Sequence, residues 1–381
     1  MNVPRMEWDR PPWNRWSFQH VRDILPTAEV SRGLGPAHFF PRATSLPDDF
    51  SVPGLQGQAV PLGVLLHDTF TDGFIVLKHG EIVCECYLNG MTSSTLHLSQ
   101  SVAKSFVGVL AGIFVDRKLL DLAAPITTYL PELASTGWKG ATLQQVLDMT
   151  TGVGFNENYT DPYSDIGKVD VACGWKPIPE GADPSFIWPS HMWELILGLK
   201  QQVRPHGKKF EYRSIETDVL AFCLERITGK RLPQILSEVI WQKMGAQENA
   251  CFTIDSEGFA TADGGLNACL RDYARFGQLM LDDGGGIIPV DWVKATRSGL
   301  HGKFVGRYAA TLPGGAYRNM WWIDGTPLRA LLARGVFGQL IYINYTTGIV
   351  VAKVSSWPDF VSPELEIATL NAMRGIEDYL A

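Results

Sequence analysis

β-rich runs stand near both ends of this chain and helical periodicity fills its middle, an order that constrains the fold more than any other feature. Residues 74–77 and 82–87 flank His79 and Gly80, the composition of a hairpin. From 101 to 118 the apolar residues Phe106, Val109, Leu110, Ile113 and Phe114 recur at three and four, the period of a helix, which stops in the 119–122 stretch before Pro125. A short helix is predicted over 142–149, with Thr142 as its N-cap and Gly152 as its stop. Helical spacing returns over 214–228, with Gly229 just beyond, and again over 232–244 and 267–281. Strands then follow at 319–322, 329–332, 340–345 and 349–354, and 363–380 reads as a closing helix. Residues 156–189 hold Gly, Pro, Asp and Tyr with little period and read as a long loop; Trp175, Phe186 and Trp188 argue that it is ordered.

Strands drawn from both termini predict an antiparallel sheet flanked by helices, an α/β part built from about 51–100 and 285–381. The helical part, about 101–284, is then an all-α insertion. Residues 1–50, rich in Pro, Trp and Arg and without a period, read as an arm packed on the body. A cleft between two such parts is a favoured place for a small-molecule site.

Composition narrows the partners. Net charge is −7, from 33 Lys+Arg against 40 Asp+Glu, and no basic run interrupts the chain, which argues against a grip on nucleic-acid phosphates. Apolar stretches such as 106–115 are too short to span a bilayer. Charged residues near the N-terminus are not followed by an apolar run, so no secretory signal is expected. Cys84, Cys86, Cys173, Cys223, Cys251 and Cys269 form no CxxC pair and are expected to be free thiols in a cytoplasmic protein. The expected partner is a small molecule, with neither nucleic acid nor membrane, and a homodimer is compatible with the sequence.

Several catalytic devices are missing. There is no Gly-x-Ser-x-Gly elbow and no His-Glu-x-x-His, the eight histidines are scattered, and no metal or cofactor is expected. Gly33-Leu34-Gly35 lacks the third glycine and following helix of a dinucleotide site. What remains is Ser101-Val102-Ala103-Lys104 at the start of an apolar helix, where a spacing of three puts both side chains on one face. A serine hydroxyl needs a base to become a nucleophile. A lysine desolvated at a helix N-terminus is expected to have a lowered pKa and to serve as that base. The Ser101 N–H at this first turn is placed to donate to an oxyanion. Tyr212, just before the 214–228 helix, could relay protons if cations lowered its pKa. Ala333-Arg334-Gly335-Val336 enters a strand, and small residues there let the Val336 N–H approach a carbonyl. Each of these patterns is weak alone.

Together, Ser101-x-x-Lys104, Tyr212-x-Ser214 and the glycine-containing strand resemble the signature of the penicillin-recognising, class C β-lactamase-like serine hydrolases. Within that family the chain is most similar to the nylon-oligomer (6-aminohexanoate-dimer) hydrolases, from Pro11-Pro12-Trp13 through Gly264-Gly265 to Ser355-Ser356-Trp357-Pro358. The resemblance implies a β-lactamase/transpeptidase-like fold and an acyl-enzyme on Ser101. Lys104 would be the proton acceptor, Tyr212 the donor to the leaving group, and Ser101 and Val336 the oxyanion hole. It also implies that Tyr159 hydrogen-bonds the leaving amide nitrogen, that Asp170 takes a terminal amine, and that Trp175, Asp263 and Trp322 line the substrate site. Three departures are visible. Ala333-Arg334-Gly335 replaces Lys-Thr-Gly, Tyr212-x-Ser214 replaces Tyr-x-Asn, and Asp263 stands where related amidases have asparagine. The expected activity is hydrolysis of small carboxylic esters, with linear amides as a second class. A β-lactamase or penicillin-binding enzyme and a catalytically silent binding protein are the alternatives.

Overall fold

The computed structural model describes residues 3–47, 49–299, 304–326 and 330–381. His301 and Arg329, the latter read as the start of a strand, lie outside the described residues. Among these residues, seven strands form a wholly antiparallel sheet: Glu81–Tyr87, Thr71–Lys78, Ile349–Ser355, Gln339–Asn344, Leu331–Gly335, Trp321–Ile323 and Ala316–Arg318, in that order. N-terminal and C-terminal chain meet where Thr71–Lys78 pairs with Ile349–Ser355, Val76 opposite Val351. Helix Leu270–Leu281 lies across the central strands, and all seven residues of Ile349–Ser355 are buried. That burial explains why this strand reads as an apolar run rather than an alternation. The fold is mixed α/β, with an antiparallel sheet and helices around it, as expected from the sequence.

Helix Ala103–Asp116 is buried from Ala103 through Phe114 and packs on Ile215–Thr228 and the edge of Trp321–Ile323. A helix without a wet face must hide its polar side chains too, so Lys104 and Ser105 go inside with the rest. Thr142 caps Leu143–Leu147 in a capping box with Gln145, and Gly229, at φ 67°, closes Ile215–Thr228 in the left-handed region. A single apolar core runs from Trp8 in the N-terminal arm to Ile376 in the closing helix Pro363–Leu380.

Several elements differ from the sequence reading. The 156–189 loop contains a helix, Asp165–Ala172, capped by Ser164, whose Oγ accepts from the Gly167 N–H. The 142–149 helix ends at its C-cap Asp148, because Met149 turns to φ 50°, before Gly152 is reached. Asn267 belongs to a strand, Leu266–Ala268, and the helix after it begins at Leu270. The 232–244 helix is α only over Leu232–Leu236 and continues as a π-helical turn, Ser237–Trp241. Asn319 and Met320 are not strand residues but the left-handed turn joining Ala316–Arg318 to Trp321–Ile323. The arm contributes a strand, Thr27–Val30, that pairs with Ala250–Thr253 in a second, four-stranded sheet. Its partner strands are remote in sequence, so no local pattern announces it.

Candidate active site

Ser101 occupies the 3₁₀ turn Gln100–Val102, which runs directly into helix Ala103–Asp116. Gln100 reaches this turn with φ at 48°, a left-handed backbone uncommon outside glycine. Across the cleft, strand Leu331–Gly335 ends beside the same turn. Gly335 makes the approach possible, since a Cβ there would lie 2.7 Å from the Ser99 carbonyl oxygen. Val336 follows it, and Phe337 again has a positive φ, 61°. Ser101 and Val336 therefore share one cavity wall.

Lys104, one helical turn after Ser101, donates from Nζ to Ser101 Oγ at 2.9 Å and also to the Asp263 carbonyl oxygen. Its ammonium lies 3.9 Å from Asp263 Oδ2 and 5.4 Å from the centre of the Tyr212 ring. Tyr212, held just before helix Ile215–Thr228, lines the same cavity as Ser101, and the Ser101 and Lys104 side chains both act to lower its pKa. Its ring stacks on Trp322, centroids 5.4 Å apart. A nucleophile, a cation and a phenol thus meet at one point, each fixed by a different element.

The ionisation of this group corrects one expectation. Burial pushes the Lys104 ammonium down, but Tyr212, Asp263, Glu157 and Asp218 outweigh it, and its pKa lies above the ordinary lysine value. Tyr212 is also raised: burial and Glu157 prevail over the lowering by Lys104. At neutral pH the resting pair is an ammonium and a phenol, not a free amine and a phenolate. Glu157, two residues before Tyr159 and not singled out from the sequence, organises the site. It accepts from the Ser214 N–H at 3.0 Å, from the Ser214 hydroxyl, and from Tyr159 Oη at 2.7 Å. Burial raises the pKa of Glu157, Asp218 and Asp263 alike.

Two cavities open from Ser101. One, about 180 Å³, runs along Arg334–Leu340 under the closing helix and is lined by Tyr159, Tyr212, Trp322 and Trp357 among others. Arg334, in place of the lysine-containing motif, lies 4.7 Å over the Trp322 ring and pairs with Glu366 of the closing helix. The other is narrower, about 40 Å³, and brings together Ser101, Asp170, Trp175 and Asp263 with Asp9 from the arm. All the sequence-predicted site residues therefore gather at this cleft, but some polar atoms are already engaged. The Trp175 indole N–H donates to Thr253 Oγ1 at 2.9 Å. Asp170 faces Lys176, a residue that sequence reasoning passed over.

A family model described as Beta-lactamase matches residues 66–372. The chain belongs to the β-lactamase family. It is 35% identical over 364 residues to the 6-aminohexanoate-dimer hydrolase of Paenarthrobacter ureafaciens, an alignment covering 92% of this chain and 88% of that one. The structure of a Bacillus anthracis protein given the same name superposes with a TM-score of 0.91 at 32% identity, covering 100% of this chain and 97% of that one. A family VIII carboxylesterase shares the fold alone, with TM-score 0.61 and 14% identity over 88% of this chain and 99% of its own. This member of the β-lactamase family is a serine hydrolase of the group that contains the nylon-oligomer enzymes.

Proposed function

We propose that the protein hydrolyses small carboxylic esters and linear amides through an acyl-enzyme on Ser101. The observation that carries this reading is that Lys104 Nζ, bonded to the Ser101 hydroxyl, lies close to the Tyr212 ring at the mouth of a mostly apolar cavity lined by both Ser101 and Tyr212. In the reaction Ser101 Oγ attacks the carbonyl carbon and its proton passes to Lys104 Nζ, the atom it already touches, once Lys104 has lost its own extra proton. The oxyanion is held by the Ser101 and Val336 N–H groups. Collapse expels the alkoxide or amine, protonated through Tyr212, and water then cleaves the acyl-serine by the reverse relay. The Tyr159 hydroxyl donates to Glu157, leaving its lone pair to accept from the N–H of a leaving amide. A cytoplasmic location belongs to this reading and is supported by six cysteines that the fold keeps as thiols.

The test is a kinetic series on p-nitrophenyl acetate with fluorophosphonate labelling. Ser101→Ala is expected to abolish turnover and labelling while keeping the fold. Lys104→Ala and Tyr212→Phe are each expected to lose about 10²–10⁴-fold, without adding in combination. Wild-type rates from Ser101→Ala would remove the mechanism.

A further inference from the structure

The narrow cavity beside Ser101 holds more negative than positive charge. Asp9, Asp170 and Asp263 contribute carboxylates to its lining, with Ser101 at the same wall. Lys176 answers two of them. Its Nζ lies 2.9 Å from Asp9 Oδ2 and 2.9 Å from Asp170 Oδ2, and its side chain is only 12% exposed. The bridge ties the N-terminal arm to the turn that follows helix Asp165–Ala172, where Lys176 N–H also donates to the Asp170 carbonyl. The second oxygen of Asp9 is buried without a hydrogen-bond partner. A primary ammonium from outside could use the same carboxylates, but Lys176, which does not line the cavity itself, already pairs with two of them.

We propose that Lys176, without lining the cavity itself, compensates the charge of Asp9 and Asp170 in its wall, and so directs the enzyme toward substrates lacking a terminal amine. The inference rests on the serine-hydrolase reading above and narrows its substrate class. A substrate ammonium entering this cavity must either compete with Lys176 for Asp9 and Asp170 or bind near a like charge. An acyl chain ending in a methyl group meets neither cost. Burial has raised the Asp170 carboxyl to about 6 against the opposing pull of Lys176, so the acid is held ionised near neutral pH by a cation it cannot spare. Lys176 is therefore a specificity-determining residue that need not touch the reacting atoms.

Two esters of equal length separate this proposal from the reading beneath it: p-nitrophenyl hexanoate and p-nitrophenyl 6-aminohexanoate, which differ by one terminal ammonium. Wild type is expected to favour the hexanoate in kcat/KM. In Lys176→Met, which keeps the stem and removes the charge, the ratio is expected to move toward the amine ester by on the order of tenfold or more, chiefly through KM. Lys176→Arg is expected to retain the wild-type ratio. Damage to the fold lowers both esters together and leaves the ratio in place, so the ratio reports the charge and not general integrity. A wild-type enzyme that prefers the amine ester overturns the proposal without any variant having to fold. So does a folded Lys176→Met whose ratio stays within about twofold of wild type. If wild type turns over neither ester, the serine-hydrolase reading itself fails and this inference goes with it.

Discussion

Lys104 carries the main lesson at the scale of single residues. Desolvation alone would make a buried lysine a ready base, but four neighbours that are or can become negative reverse the shift. The sign follows directly. A group held protonated above its ordinary range gives little free base at neutral pH and more with each unit of rising pH. For ester hydrolysis, kcat/KM is expected to climb through the alkaline range, with its limb above the usual position for lysine. Glu157→Gln removes one of the charges that hold Lys104 up, and the limb is expected to move to lower pH. A pH–rate profile corrected for spontaneous ester hydrolysis checks both; a plateau already reached at neutral pH would contradict the protonated resting state. Ser101, Lys104 and Tyr212 were legible from sequence because two of them share a helical turn and the third precedes a helix with a clear period. Glu157 and Lys176 were not, since their roles depend on partners that only folding brings close, Ser214 in one case and Asp9 in the other.

Elements differ in how openly the sequence declares them. Ala103–Asp116 and Ile215–Thr228 carry long apolar repeats, and Gly229 marks the end of the second. Asp165–Ala172 escaped because Gly167 and Asp170 interrupt its short apolar pattern. Leu266–Ala268 and His97–Leu98 are two or three residues long, too short for alternation to appear. Strand Ile349–Ser355 hides another feature: Lys353, fully buried, with a pKa that burial lowers to about 7. Between that value and the ordinary lysine pKa near 10.4, the unfolded chain holds a proton the folded one releases, so stability from this site rises with pH. The full cost is present below about pH 7 and fades toward 10.4. Lys353→Met is expected to raise the melting temperature more at pH 6 than at pH 10; equal gains at both would disprove the buried neutral lysine. The closing helix has a different part, roofing the larger cavity with Glu366, Thr369 and Leu370. Leu370→Trp is expected to leave ethyl acetate nearly untouched and to lower octyl acetate hydrolysis by about tenfold or more, because volume at that wall is volume for the leaving alcohol. Equal losses on ethyl and octyl acetate would place the alcohol elsewhere.

At the scale of the whole molecule, the cleft is a seam between distant parts of one chain. The nucleophile's turn comes from the first third, Tyr212 from the middle and Val336 from near the end, while the arm supplies Asp9. Asn14 Nδ2 donates to the Trp357 carbonyl at 2.7 Å, and Arg15 pairs with buried Asp72, which also holds His97 and Ser356. No short continuous piece of the chain contains the complete constellation. A cut in the exposed 181–185 stretch separates Ser101 and Lys104 from Tyr212 and Val336 but severs no strand or helix. Two fragments made there are expected to be silent on p-nitrophenyl acetate singly and to recover turnover when mixed, in proportion to the reassembled complex seen by gel filtration. Activity from either fragment alone would contradict the shared construction of the site. The hydrolase thus has the anatomy of a split reporter, in which colour from an ester registers the meeting of two polypeptides.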